Sequence, residues 1–390
     1  MVHFVSMRCV IDTLDYVTEM VDEGYPVDEI FLDFRKAFDK VSHERLLYKL
    51  EHMGVKGTIL LWLSNFLNER KQRVKVNGSY SCWAEVTSGV PQGSVLGPLL
   101  FVAYINDLPS KLLSQCNLFA DDSKIYNIVD NALNIQKLQD DLNKCSEWAD
   151  EWKMEFHPHK CKVLHFGSKN TENEYVIGNN KIMPGNCEKD LGVTISDDLK
   201  WTEHIKICAN KANRMIGLIR RTFSYIDQEM FLMLYKTFIR PLVEYCPEVW
   251  NPHLEKNINV LEKVQRRATK LVSDLRNVPY EERLIRLKLF PLKDRRLRGD
   301  MITTFKLLNG LIDVDANRLV PLLDSTVSQI NTRSHNQQIK CKVPRSNLRR
   351  YFFTNRIVLS WNTLSRDTVN SPSVEVFKDR YDRERLGAYL

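Results

Sequence analysis

The amino-acid sequence predicts an α+β front half followed by a mainly helical back half. Three observations carry that expectation. A short apolar run, Val27 to Phe34, ends against charge, the pattern of a buried strand. An Asn77-Gly78 pair lies between alternating segments, the strongest short-range signal for a two-residue hairpin turn. Beyond residue 132, apolar residues recur at three- and four-residue steps, the period of a helix with one buried face.

The elements follow in chain order. After the Val27–Phe34 strand, Ser42 offers an N-cap, Leu46, Leu47, Leu50 and Met53 fall on one helical face, and Gly54 ends the helix. Thr58 to Glu69 reads as a second helix. Arg73, Lys75 and Asn77 alternate with Val74 and Val76, and the type I′ turn leads into Ser79–Thr87. Ile135, Leu138, Leu142, Cys145, Trp148 and Trp152 define a long amphipathic helix, and Lys162 to Phe166 returns to strand. After Trp201 one stripe runs through Ile205, Cys208, Ala212, Ile216 and Ile219, and another through Leu261, Val264, Ala268 and Leu271. No internal repeat or low-complexity tract interrupts this order.

Composition bounds the function. The 390 residues suffice for two or three domains, and 43% hydrophobic with 27% charged residues excludes a disordered or fibrous chain. No run approaches the length of a membrane span, and the N-terminus lacks a signal-peptide layout. Nine cysteines, an odd number without a Cys-x-x-Cys, argue against a disulfide framework and for a reducing compartment, nuclear or cytoplasmic. His157, His159 and Cys161 lie too close in sequence to make a tetrahedral zinc site unaided. Arg298-Gly299-Asp300 spells an adhesion tripeptide, but it sits in a Lys/Arg-rich helical stretch. The net charge of +7 is unevenly placed: residues 1–200 hold 22 Lys+Arg against 29 Asp+Glu, residues 201–390 hold 34 against 20. A basic back half points to nucleic acid.

Two acidic placements in the front half can carry chemistry. Asp33 ends the buried strand, where a carboxylate has lost water and needs a partner or a cation. Asp121 and Asp122 fall between the β-like runs Cys116–Phe119 and Lys124–Val129, and adjacent carboxylates there repel one another unless a cation intervenes. Three such carboxylates suit Mg²⁺, and a pair of ions can activate a hydroxyl and stabilise a leaving pyrophosphate. A solvated Asp-Asp turn is the ordinary alternative. Between the two lies the glycine-punctuated segment Ser88–Leu100, whose backbone permits close approach of a ligand and whose Gln92 can both donate and accept. A tight turn ahead of a helix started by Pro98 is the alternative there.

Five segments in order, LDFRKAFDKV (32–41), SGVPQGSVLGPLLF (88–101), FADD (119–122), MEFHPHKCKVLHFG (154–167) and DLGVTISDDLKW (190–201), resemble the reverse transcriptases of non-LTR, LINE-type retrotransposons, most like the jockey group. RRLRGDMITTFKLLNG (295–310) and the run from Thr332 to Leu364 resemble the C-terminal region of the same elements. The resemblance implies a right-hand polymerase: a palm over 1–195, an antiparallel sheet backed by helices, a helical thumb over 196–300, and a C-terminal region over 301–390.

Site residues are carried over by position. Asp33, Asp121 and Asp122 match the catalytic carboxylates that hold two Mg²⁺ ions, or Mn²⁺, with the Phe34 carbonyl beside them. Phe38 matches the aromatic gate against a ribose 2′-hydroxyl. Gln92 and Gly93 match the segment that contacts the incoming dNTP and template. Lys160 matches the lysine that protonates the departing pyrophosphate. Leu191, Gly192 and Val193 match the primer grip. His157 stands where the family usually has Asn. On the expected thumb helices, Arg214, Arg220, Arg221, Arg266, Arg267 and Lys270 are candidate phosphate contacts. Only 32 residues precede Asp33, so the basic fingers are expected to be largely missing and the upstream endonuclease absent. Two readings follow: an RNA-directed DNA polymerase fragment that extends a DNA primer on an RNA template, and a relic that only binds nucleic acid.

Overall fold

A computed structural model describes the backbone of residues 2–312, 315–323 and 335–387, with side chains from Cys9 onward. Thr332–Ser334, the start of the last family-like stretch, and the side chains of the first eight residues lie outside the described residues. The chain separates into two compact units, one of Gly24–Glu188 and one of Met1–Glu23 with Lys189–Leu390.

The Gly24–Glu188 unit is built on a five-stranded sheet. Its strands are β1 (Val27–Leu32), β2 (Gln115–Phe119), β3 (Asp122–Ile128), β4 (Lys162–Phe166) and β5 (Met183–Pro184), in the spatial order β5-β4-β1-β3-β2. β1 lies antiparallel to both β3 and β4, and only the short β5 runs parallel to its neighbour. As the central strand, β1 is buried almost throughout, its charged residues included. That is tolerable because each is partnered. Asp28 accepts from the Asn170 amide at 2.7 Å and the Tyr175 hydroxyl at 2.6 Å, with His165 Nδ1 at 2.7 Å, and Glu29 pairs with Lys124 at 3.3 Å.

Helices cover the sheet. The helix α1 (Ala132–Glu151) lays Leu138, Leu142, Cys145 and Trp148 into the core beside Ile30, Ile125 and Val163, the face its periodicity predicts. Asn131 caps it by accepting from the Asn134 amide. The helix expected after Ser42 spans His43–His52, but the Ser42 side chain makes no capping bond. In place of a cap, this helix is held by Lys49. Its ammonium is buried against the Trp152 ring at 3.6 Å and pairs with Asp107. The Asn77-Gly78 turn forms as expected, both residues having positive φ and Val76 pairing with Ser79.

Among the described residues the other unit is helical apart from the strand Val193–Ser196, which pairs with Cys187–Asp190 at the start of the unit, and an isolated bridge. Helix α2 (Thr202–Thr222) packs on α3 (Glu255–Ala268) through the stripes read from the sequence, with Ile205, Ala212, Ile216, Leu261 and Val264 all buried. The N-terminal helix Val2–Glu23 also belongs here, because buried Arg349 pairs with Asp15 at 2.7 Å. Arg298-Gly299-Asp300 is interior. Arg298 pairs with Asp382, and fully buried Asp300 pairs with Arg356 at 2.8 Å, so the tripeptide is a packing element. Among the described residues no helix is long and apolar enough to cross a membrane.

Candidate active site

Register brings the first and third acidic motifs together. Leu32 at the end of β1 pairs with Ser123 on β3, so Asp33, just beyond β1, and Asp122, the first residue of β3, lie at the same end of the sheet. Asp122 opens β3 opposite Phe119, which leaves Ala120 and Asp121 as a two-residue turn with Ala120 at φ 52°. Asp33 is held from behind. Its amide lies 3.5 Å from the buried Cys161 Sγ, and its carbonyl accepts from the His157 amide at 2.7 Å. Burial raises the Cys161 thiol, so this sulfur stays neutral beneath the strand.

Lys160 completes this end of the sheet. Its ammonium lies 3.4 Å from Asp33 Oδ1, with the lysine side chain 60% and the aspartate 41% exposed, so the pair faces solvent. Phe34 sits differently from its neighbour. The side chain is buried and stacks on the Phe156 ring at 4.4 Å, and the main chain forms an isolated antiparallel bridge to the same residue. Beside this, Glu155 bonds Arg35 at 2.9 Å, and that bond holds its carboxyl below the usual range. The His157 and His159 rings are 6.2 Å apart.

The second motif packs on the first. Gly89 at φ 91° donates to the Val41 carbonyl at 2.7 Å, and a Cβ there would stand 2.8 Å from Asp39 Cα. Only glycine permits so close an approach. Val90 donates to the Phe38 carbonyl at 2.8 Å, and Gln92 Nε2 donates to Asp39 Oδ1 at 3.2 Å. The Phe38 ring, half-buried, stacks on Phe101 at 4.6 Å. Gly93, at φ 81°, has open space where a Cβ would sit. Gln92 and Asp39 border a cavity of about 920 Å³ that Lys36, Lys40, Arg70 and Lys71 line with positive charge. Lys36 and Lys40 lie within the first quoted segment and Arg70 and Lys71 in none, and only folding collects the four.

Among the described residues no group of three or more His, Cys, Asp or Glu side chains converges as a metal centre. The donor set itself suits a hard divalent cation, being carboxylates on adjoining strand ends. In this structure the cation beside Asp33 is Lys160.

In the helical unit, Leu191 and Gly192 form a tight turn with φ 44° and 94°, leading into the strand Val193–Ser196, whose Val193 is buried. The Tyr245 hydroxyl donates to the Leu191 carbonyl, and the Thr194 amide donates to His204 Nδ1 at 3.1 Å. Neither Tyr245 nor His204 belongs to a motif, so nothing in the sequence pairs them with this turn.

Of the six candidate phosphate contacts, Arg220, Arg267 and Lys270 line one cavity of about 820 Å³, joined by Arg276, which periodicity did not single out. Arg267 is anchored on Asn213 at 3.0 Å. Arg266 lies over the Tyr280 ring at 4.6 Å, and Arg214 and Arg221 are exposed outside the cavity lining.

The RNA-directed DNA polymerase from mobile element jockey of Drosophila melanogaster is 27% identical over 257 residues, covering 62% of this chain and 28% of that protein. A probable RNA-directed DNA polymerase from transposon X-element of the same organism is 26% identical over 284 residues, covering 69% and 31%. The chain thus spans less than a third of the length of these curated relatives. Among solved structures, telomerase from Candida tropicalis in complex with a fragment of telomeric RNA aligns over 71% of this chain and 44% of its own, with a TM-score of 0.38 and 11% identity. The reverse transcriptase (RNA-dependent DNA polymerase) family profile matches residues 2–207, more than half of the chain, and the chain belongs to that family.

Proposed function

We propose that this chain carries the palm and thumb of an RNA-directed DNA polymerase, with the palm over 1–195, the thumb over 196–300 and a retrotransposon C-terminal region over 301–390. The observation that supports it best is the strand register, Leu32 with Ser123 and Phe119 with Asp122, that brings Asp33 and the Asp121-Asp122 turn to the same end of the sheet, with Lys160 beside Asp33. Asp33, Asp121 and Asp122 would hold Mg²⁺, or Mn²⁺. Bound there, the metal would make a primer 3′-hydroxyl more nucleophilic and offset the charge of a leaving pyrophosphate.

The remaining work falls to the chain's own groups. Lys160, ion-paired with Asp33, supplies the ammonium that delivers a proton to the departing phosphate oxygen. Gln92, tethered to Asp39, orients the incoming dNTP and template, with Gly93 leaving the backbone open beside it. Phe38, backed by Phe101, crowds the sugar edge and selects against a 2′-hydroxyl. The Leu191–Val193 turn supports the primer end, and the cationic cavity of the helical unit takes up backbone phosphates. An RNA template and a DNA primer are the partners, met in the nucleus or cytoplasm.

Primer extension on an RNA template with Mg²⁺ tests this reading. Asp33→Ala and Asp121→Ala are expected to abolish extension; activity equal to the parent chain in both would overturn the site. One observation favours a second reading, a chain that binds nucleic acid without turnover. Asp33 is ion-paired to Lys160, and among the described residues no group of three or more His, Cys, Asp or Glu side chains converges as a metal centre. That reading expects salt-sensitive RNA binding and no extension with either Mg²⁺ or Mn²⁺.

A further inference from the structure

The hairpin that follows the helix Gly57–Leu67 has no protein core of its own. Its rungs pair Lys71 with Glu85, Gln72 with Ala84, Lys75 with Tyr80 and Val76 with Ser79, and every one of these residues is exposed. Tyr80 is 52% and Trp83 60% exposed, and Val74 and Val76 are more open still. Short hairpins are marginal alone, and apolar surface of this extent on one marks an interaction site.

The chemistry of the face narrows the occupant. Residues 70–85 contain four cations, Arg70, Lys71, Arg73 and Lys75, against one acidic residue, Glu85, on the rung opposite Lys71. The Arg73 guanidinium lies over the Tyr80 ring at 4.0 Å and the Trp83 ring at 4.5 Å, and the Lys75 ammonium over Tyr80 at 5.0 Å. Rings and cations therefore share one face. Such a surface accepts bases by stacking and the phosphates between them by charge, a combination that fits an unpaired strand and not a closed duplex.

The face is also continuous with the cavity beside Gln92. Arg70 donates to the Gly89 carbonyl at 2.7 Å, fixing the base of the hairpin to the Ser88–Gln92 segment, and Arg70, Lys71 and Gln72 line that cavity. We propose that hairpin 71–85 is a docking surface for single-stranded nucleic acid, held by Tyr80, Trp83, Arg73 and Lys75 and running on into the cavity beside Gln92. The proposal rests on the nucleic-acid side of the function proposed above, not on its chemistry.

The test is binding of a short labelled oligouridylate and of a blunt RNA duplex to the full chain at low salt, with tryptophan emission recorded alongside. Trp83→Ala and Tyr80→Ala are each expected to weaken oligouridylate binding about tenfold while leaving duplex binding unchanged. Trp83→Phe keeps a stacking ring, so it should retain most of the affinity and remove part of the emission quenching. Unchanged oligouridylate affinity in both alanine variants would overturn the proposal. So would an equal loss on the duplex, or a hairpin-dependent self-association seen by sedimentation without any change in RNA affinity. Primer extension by the parent chain is measured in parallel. Its absence, with hairpin-dependent binding intact, would sink the polymerase reading and leave this one standing.

Discussion

The Tyr245 hydroxyl donates to the Leu191 carbonyl at 2.8 Å, and a Cβ on the adjoining Gly192 would meet the same ring at 3.0 Å. The proposed primer grip is thus supported by a tyrosine more than fifty residues further along the chain. Gly192→Ala adds a left-handed backbone penalty at φ 94° to that contact, on the order of 1–2 kcal/mol. Tyr245→Phe keeps the ring and removes one hydrogen bond, about 1 kcal/mol. Denaturant unfolding is expected to show both losses, and primer extension to fall further for Gly192→Ala. A Gly192→Ala chain as stable and as active as the parent would contradict this.

His204 makes the same strand pH-sensitive. Burial, with a smaller push from Lys211, lowers its pKa from 6.5 to about 4. Because Nδ1 accepts from the Thr194 amide, the folded ring is neutral and carries its proton on Nε2, 3.3 Å from Cys208 Sγ. The folded value lies below the unfolded one, so protons favour the unfolded chain. The stabilisation is complete above pH 6.5 and is lost as pH falls from there towards about 4, up to about 3 kcal/mol in all. In urea unfolding across that window, His204→Gln is expected to flatten the difference. Parallel curves for parent and variant would refute it.

Phe38 rests on Phe101 with rings 4.6 Å apart and inclined by 20°, so the proposed gate is stiffened from the core side. Phe38→Ala is expected to raise the ratio of ribonucleotide to deoxynucleotide incorporation. Phe101→Leu should move it in the same direction by less, since it loosens the gate without removing it. The measurement is the ratio of kcat/KM for matched dNTP and rNTP substrates, and an unaltered ratio in Phe38→Ala would remove the gate from the mechanism.

The cavity lined by Arg220, Arg267, Lys270 and Arg276 is predicted to bind phosphate through charge alone. Each alanine substitution there is expected to lower the slope of log affinity against log salt by about 0.7–0.9, without changing sequence preference. Arg214→Ala, outside the cavity lining, serves as the comparison. A slope insensitive to all four substitutions would argue that the cavity does not meet nucleic acid.

Much of this protein is legible from local pattern. The amphipathic helices Ala132–Glu151 and Thr202–Thr222 end within a few residues of where periodicity places them, because burial of one face decides both. Asn77-Gly78 forms its hairpin because the turn chemistry is local. The Ser42 cap is not made, and the helix after it is held instead by buried Lys49, whose partners Asp107 and Trp152 are remote in sequence.

The order of motifs by itself determined the family and nominated the three carboxylates. Tertiary structure alone decided what surrounds them, because such partners depend on strand register and helix packing that no local spacing encodes. Register brings Asp33 and Asp122 to the same end of the sheet, and the chain path brings Lys160 to Asp33. Packing sets Tyr245 against Leu191 and brings Arg276 and Arg267 to the lining of one cavity, from segments that share no periodicity.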